Sequence, residues 1–63
     1  MSVEVYDCMG GSTLFKLELP ASEVAQYVAL VKAHGCEDME GNEYKFNDAK
    51  VFCDGFIVYV ENA

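Results

Sequence analysis

Residues 22–35, SEVAQYVALVKAHG, carry the one spacing in this 63-residue chain that fits a helix. Val24, Tyr27, Val28 and Val31 recur at i, i+3, i+4 and i+7, which aligns them along a single face at helical period. Pro20 and Ser22 mark the start, since proline suits a first turn and a serine hydroxyl can accept from an unpaired N–H. Gly35 marks the end, where a positive φ is commonly needed. The segments on either side read as strand, so this one helix has to cover the sheet. Its opposite side carries Ala25, Gln26, Ala29, Leu30 and Ala33. Alanines there are explained by helix propensity alone, or Leu30 is covered by the following loop or a partner.

Upstream, SVEVYD (2–7) alternates, with Val3 and Val5 on one face and Glu4 and Tyr6 on the other. Gly10-Gly11 then suits a turn, because both residues accept φ > 0. TLFKLEL (13–19) alternates again, with Phe15, Leu17 and Leu19 inward and Lys16 and Glu18 outward. The two segments predict a hairpin.

Downstream, CEDMEGNE (36–43) packs four of the eleven acids into eight positions around a Gly41-Asn42 turn. It is the longest connection in the chain, and long connections are often functional or mobile. Tyr44 and Phe46 then share a strand face. Two turns compete for the remainder. Asp54-Gly55 as a two-residue loop sets Cys53 opposite Phe56 and Val51 opposite Val58. It puts Val51, Cys53, Phe56, Val58 and Val60 on one face and Phe52, Ile57 and Tyr59 on the other. Asn47 to Lys50 as the main turn gives a longer final strand with a bulge. The expected fold is α+β, a single domain over residues 1–63. It has an antiparallel four- to five-stranded sheet in the order ββαββ(β), with one helix packed on one face.

A chain of this length buries only about 60% of its unfolded surface, so an enzyme pocket would hollow out much of its core. Hydrophobic content of 52% argues against a disordered tail. Eleven acids face four lysines and no arginine, a formal charge of −7. That excess repels phosphate, so direct binding to nucleic acid or to an anionic membrane is not expected. It favours a basic protein partner, or it serves solubility. Cys8, Cys36 and Cys53 are odd in number and far apart, unlike an extracellular disulfide framework. With no basic leader and no long apolar run, the expected location is the cytoplasm, with reduced thiols.

Cys8, His34, Cys36 and Cys53 are the residue types zinc prefers, but only His34 and Cys36 are close in sequence and no CxxC or HxxxH pair occurs. Asp38-Met39-Glu40-Gly41-Asn42 breaks the spacing of a calcium loop. No nucleophile motif or phosphate-binding glycine loop is present. The expectation is a protein without catalytic groups, cofactor or metal.

Surface recognition is what remains. Glu37, Asp38, Glu40 and Glu43, joined by Asp48 and Asp54, are expected to spread carboxylates over one end of the molecule, where they can imitate phosphates. Small size, acidity and the lack of catalytic groups together resemble the inhibitors that phages and mobile elements direct against host nucleic-acid machinery, the anti-CRISPR proteins above all. The resemblance is one of size and charge. It implies a non-enzymatic viral protein, a DNA mimic docking on a basic, nucleic-acid-binding host protein in the host cytoplasm. A second resemblance lies in the hairpin–helix–hairpin order and in Glu43-Tyr44-Lys45-Phe46-Asn47-Asp48-Ala49-Lys50, which is similar to the second hairpin of the immunoglobulin-binding domains of protein G. It implies a β-grasp-like fold. The alternatives are a small homodimeric assembly protein using Phe52, Ile57, Tyr59 and Leu30, or a small metal-binding regulator.

Overall fold

A computed structural model describes residues 1–63. Helix α1 spans Ala21–His34, with Val24 and Val31 buried and Tyr27 and Val28 half-buried, so the stripe at helical period is the packed face. The helix begins one residue earlier than expected. Pro20 occupies the cap position at φ −57° and ψ 142°, and no side chain caps the helix. Ser22 therefore lies inside the first turn, and the Glu23 N–H donates to the Pro20 carbonyl at 2.9 Å. Glu23 in the first turn and Lys32 and His34 in the last complement the helix dipole. Gly35 closes the helix at φ 71°, its N–H donating to the Val31 carbonyl at 2.7 Å.

The first hairpin joins β1 (Ser2–Asp7) to β2 (Ser12–Glu18). Val3 pairs with Leu17 and Val5 with Phe15, then Tyr6 pairs with Thr13, which leaves Leu14 as the extra residue of a bulge. The connection from Cys8 to Gly11 is closed by Asp7. Its carboxylate accepts from the N–H groups of Met9 and Gly10, both at 3.0 Å, and its carbonyl accepts from Gly11 at 2.8 Å.

Beyond the helix come β3 (Cys36–Glu37), β4 (Glu43–Phe52) and β5 (Gly55–Asn62). The five strands form one sheet in the order β2-β1-β5-β4-β3. β1 and β5 lie side by side and parallel, Val5 beside Val58 and Val3 beside Phe56. The sheet is therefore mixed, not antiparallel as expected. Each hairpin is antiparallel because a short turn allows nothing else. The helix, however, carries the chain across the sheet and returns it so that the first and last strands run the same way.

Asp54-Gly55 does mark the main hairpin, shifted by one residue: Cys53 and Asp54 form the loop, and Phe52 pairs with Gly55. Val51 consequently faces Phe56, and Ala49 faces Val58. Moving the loop by one residue changes each partner by two positions, so the expected faces survive while the expected pairs do not. Cys53 leaves the core and is exposed in the loop. Asn47 to Lys50 is strand rather than turn. The register slips between Phe46 and Asp48, making Asn47 the bulged residue.

The core consists of Val3 and Val5 from β1, Val58 and Val60 from β5, Val24 and Val31 from α1, and Tyr44 from β4. Each buried valine contributes about 1.5–2 kcal/mol of transfer free energy. Phe15, Leu17, Leu19, Phe46 and Phe56 pack around this centre while remaining partly exposed. No helix is long and apolar enough to cross a membrane.

Candidate functional site

The acidic segment leaves the helix through Gly35. A Cβ at that position would collide with the carbonyl oxygen of Tyr44, so glycine lets the chain turn closely over β4 and enter β3. β3 pairs with the start of β4 for only two residues, Cys36 with Tyr44 and Glu37 with Glu43. Two glutamates thus stand directly opposite each other, an arrangement that destabilises a sheet when no cation intervenes.

Between these strands the loop is built on Asp38. Its Oδ1 accepts from the backbone N–H groups of Glu40 and Asn42, both at 2.9 Å. Its Oδ2 accepts from the Asn42 side-chain amide at 3.0 Å and from the Tyr44 hydroxyl at 3.2 Å. The Asp38 N–H donates to the Asn42 carbonyl at 3.1 Å. These bonds, led by the Asn42 amide, hold the Asp38 carboxyl below its ordinary range despite an opposing desolvation contribution. Burial raises the Tyr44 phenol. Its bond to Asp38 and the charges of Asp38, Asp7 and Glu40 raise it further. Burial and then the charge of Asp38 likewise raise the Cys36 thiol, which disfavours the thiolate.

Glu37, Asp38, Glu40 and Glu43 are therefore brought together. Asp48 and Asp54 are not. Asp48 lies at the β4 bulge, accepting from the Ala49 N–H at 2.8 Å and facing Lys50 Nζ at 3.6 Å. Asp54 sits in the hairpin loop beyond Gly55, whereas Tyr44 pairs with Asn62 at the other end of β5. Seven residue steps separate those ends, about 23 Å of strand, in a molecule whose longest extent is 27 Å. The expected six-carboxylate array is thus four carboxylates at one end, one paired on the sheet and one remote.

The face of the sheet away from the helix has the opposite character. Lys16 faces Glu4 at 3.9 Å, Lys45 faces Glu61 at 3.4 Å, and Lys50 faces Asp48. Thr13 and Asn47 add hydrogen bonds to Glu4 and Glu61. Tyr6 and Tyr59 meet edge to face with centroids 5.8 Å apart, and Lys50 lies over the Tyr59 ring at 6.0 Å. Ile57 and Tyr59 are half-buried, while Phe52 and Leu30 are exposed.

Three of the four lysines thus pair with three acids on that face, and Glu18 pairs with the N-terminal ammonium at 2.7 Å, whereas Glu37, Asp38, Glu40 and Glu43 have no cationic partner. Alternating charges in the sequence did not reveal this, because which lysine meets which acid depends on strand register. The D-x-x-x-N spacing of Asp38 and Asn42 around Gly41 was the available signal for the loop network, and Asp7 before two glycines was the signal for the first turn.

The candidate zinc ligands are dispersed. Cys8 and Cys53 are exposed in different turns, His34 is exposed at the helix end and Cys36 is half-buried on β3. In comparisons with known proteins, no family model, curated protein or solved structure matches this chain.

Proposed function

We propose that this chain is a non-enzymatic protein-binding module whose acidic end, Glu37 to Glu43, occupies the basic surface of a nucleic-acid-binding protein and so inhibits it. The observation that carries the proposal is the segregation of charge. Lysines pair with Glu4, Asp48 and Glu61 along the outer sheet face, while Glu37, Asp38, Glu40 and Glu43 share one end without an ion pair. A stretch where Glu37 and Glu43 oppose each other is relieved by a cationic partner, so association recovers a cost already present in the free protein. Asp38 supports the same end differently. By holding the loop backbone it reduces the ordering that binding would otherwise require.

In this proposal the carboxylates stand in for phosphates, as in DNA mimics of the anti-CRISPR type, and the partner is a host protein in the cytoplasm. The scaffold is then β-grasp-like: a parallel β1–β5 centre, α1 across one face, and β3 as an added edge strand that carries the acids. The test is capture from a lysate of the source cells with the tagged chain, followed by elution with duplex DNA or with salt. Basic nucleic-acid-binding proteins that DNA displaces support the proposal. A captured set indifferent to both eluents contradicts it.

A further inference from the structure

The sheet has two open edges of opposite character. On one side β3 covers only the start of β4. The exposed remainder of β4 is blunted by the Asn47 bulge and by Asp48, whose side chain occupies the Ala49 N–H. On the other side all seven residues of β2 form the margin, with no strand beyond them. β2 is also thinly covered. α1 packs most closely over β4, so Phe15, Leu17 and Leu19 are only half-buried. Along the flank of α1 that adjoins Leu19, just past the end of β2, runs an open depression lined by Leu19, Tyr27, Ala29, Leu30 and Ala33, with Glu23, Gln26 and His34 at its rim. Leu30 there is 56% exposed.

From these features we infer that β2 is the docking edge for a second copy of this chain, joined antiparallel about a two-fold axis at Leu17. Backbone alternation sets which groups face outward. The Leu19 N–H donates inward to the Met1 carbonyl at 3.0 Å, and β1 pairs with β2 without a break from Ser2–Glu18 to Val5–Phe15. Lys16 and Glu18 therefore direct their N–H and C=O groups to the open side. With Leu17 opposite Leu17, Lys16 of each copy meets Glu18 of the other as a bonded pair, and the charges are complementary. Moving the axis to Lys16 opposes two lysines. Moving it to Phe15 sets Lys16 against Leu14 and leaves Lys16 and Glu18 only their partners within the chain, Glu4 and the N-terminal ammonium, with none across the edge.

The other occupants of this edge are less well matched. Lys16 and Glu18 balance, so the edge attracts neither a strongly basic nor a strongly acidic strand, whereas it complements itself. Net charge also selects β2 over the opposite margin. Joined at β2, the two copies form ten strands with the acidic ends about 43 Å apart, well beyond the screening length of about 8 Å at physiological salt. Joined at β3 and β4, those ends would meet. The two-fold axis is perpendicular to the sheet, so both helices lie on the same face and the flanks bearing Leu30 approach each other.

The experiment is sedimentation equilibrium of the full chain, with Lys16→Glu and Glu18→Lys made singly and then mixed. Both side chains are exposed, and circular dichroism checks the fold of each variant. Wild type is expected at twice 7.0 kDa. Each single variant alone sets like charges opposite at two symmetric positions, which should weaken association about tenfold or more. An equimolar mixture restores both opposite-charge pairs and is expected to form heterodimers near wild-type affinity. Leu30→Glu should also weaken the dimer, while Gln at Glu37, Glu40 and Glu43 should not. A wild-type mass of 7.0 kDa at millimolar concentration, single variants as dimeric as wild type, or a mixture no tighter than its components would overturn the inference. None of these outcomes bears on the acidic end.

Discussion

Replacing Gly35 by alanine probes the joint on which both the helix end and the acidic loop depend. Gly35 sits at φ 71° and ψ −163°, a region essentially restricted to glycine, where another residue is strained by about 1–3 kcal/mol. The added Cβ also meets the Tyr44 carbonyl oxygen. Because that atom belongs to the backbone it cannot rotate aside, and forcing volume into such a contact costs about another 1–3 kcal/mol. The combined loss of about 2–6 kcal/mol stands against a total stability of about 3–9 kcal/mol for a chain of this length. Gly41 supplies the internal control. Its φ is 86°, but nothing lies within 4 Å of an added Cβ, so alanine there bears only the backbone cost of about 1–2 kcal/mol. In urea melts followed by circular dichroism, Gly35→Ala should lower the midpoint by about 2 M or more, taking a slope of about 1 kcal/mol/M. Gly41→Ala should lower it much less. Equal shifts for the two variants, or a Gly35→Ala loss below about 1 kcal/mol, would refute the steric reasoning.

Val58 is fully buried, so Val58→Ala should cost about 2–3 kcal/mol in the same assay, counting lost methyl transfer and the cavity left behind. Val51, 69% exposed on the neighbouring strand, should lose under about 0.5 kcal/mol as alanine. Asp38 has a lowered carboxyl pKa in the folded chain, so it stabilises at neutral pH and loses that contribution as pH falls through its folded value. The stability difference between wild type and Asp38→Ala, followed by urea melts from pH 7 downward, should therefore shrink in acid. A difference independent of pH would contradict the network around Asp38. Cys36 is half-buried with a raised pKa, so iodoacetamide at neutral pH should modify exposed Cys8 and Cys53 first. Mass mapping checks the order, and Cys36 should react quickly only in denaturant.

The helix was legible because Val24, Tyr27, Val28 and Val31 repeat at a period that no strand shares, and Gly35 ends it with a backbone conformation other residues avoid. The faces of β1, β2, β4 and β5 were legible for a related reason, since alternation survives an error in the loop. Placing the hairpin loop one residue too late still put Val51, Phe56, Val58 and Val60 together. The parallel contact of β1 with β5 was not legible, because it joins residues about fifty positions apart that no local pattern connects. The Asn47 bulge was ambiguous for the opposite reason: Asn-Asp-Ala-Lys suits a turn locally, and only pairing with β5 keeps it extended. At the candidate site, the clustering of Glu37, Asp38, Glu40 and Glu43 followed from chain proximity alone. Asp38 looked like one more surface charge, whereas its two oxygens are already occupied by Glu40, Asn42 and Tyr44. In the proposed function the weight of recognition therefore falls on Glu37, Glu40 and Glu43, whose carboxylates make no ion pair.

Those three side chains define the most direct measurement of the proposed function. Wild type and the Glu37→Gln, Glu40→Gln, Glu43→Gln triple variant are titrated against a basic partner recovered by capture, from about 50 mM to 300 mM salt, in the range where screening tightens around exposed charges. If the acidic end docks on that partner, wild-type affinity falls at least about tenfold over this range and duplex DNA competes for the partner. The triple variant then binds more weakly and with a flatter salt dependence. Equal affinity and equal salt dependence for the two chains would contradict docking through the acidic end.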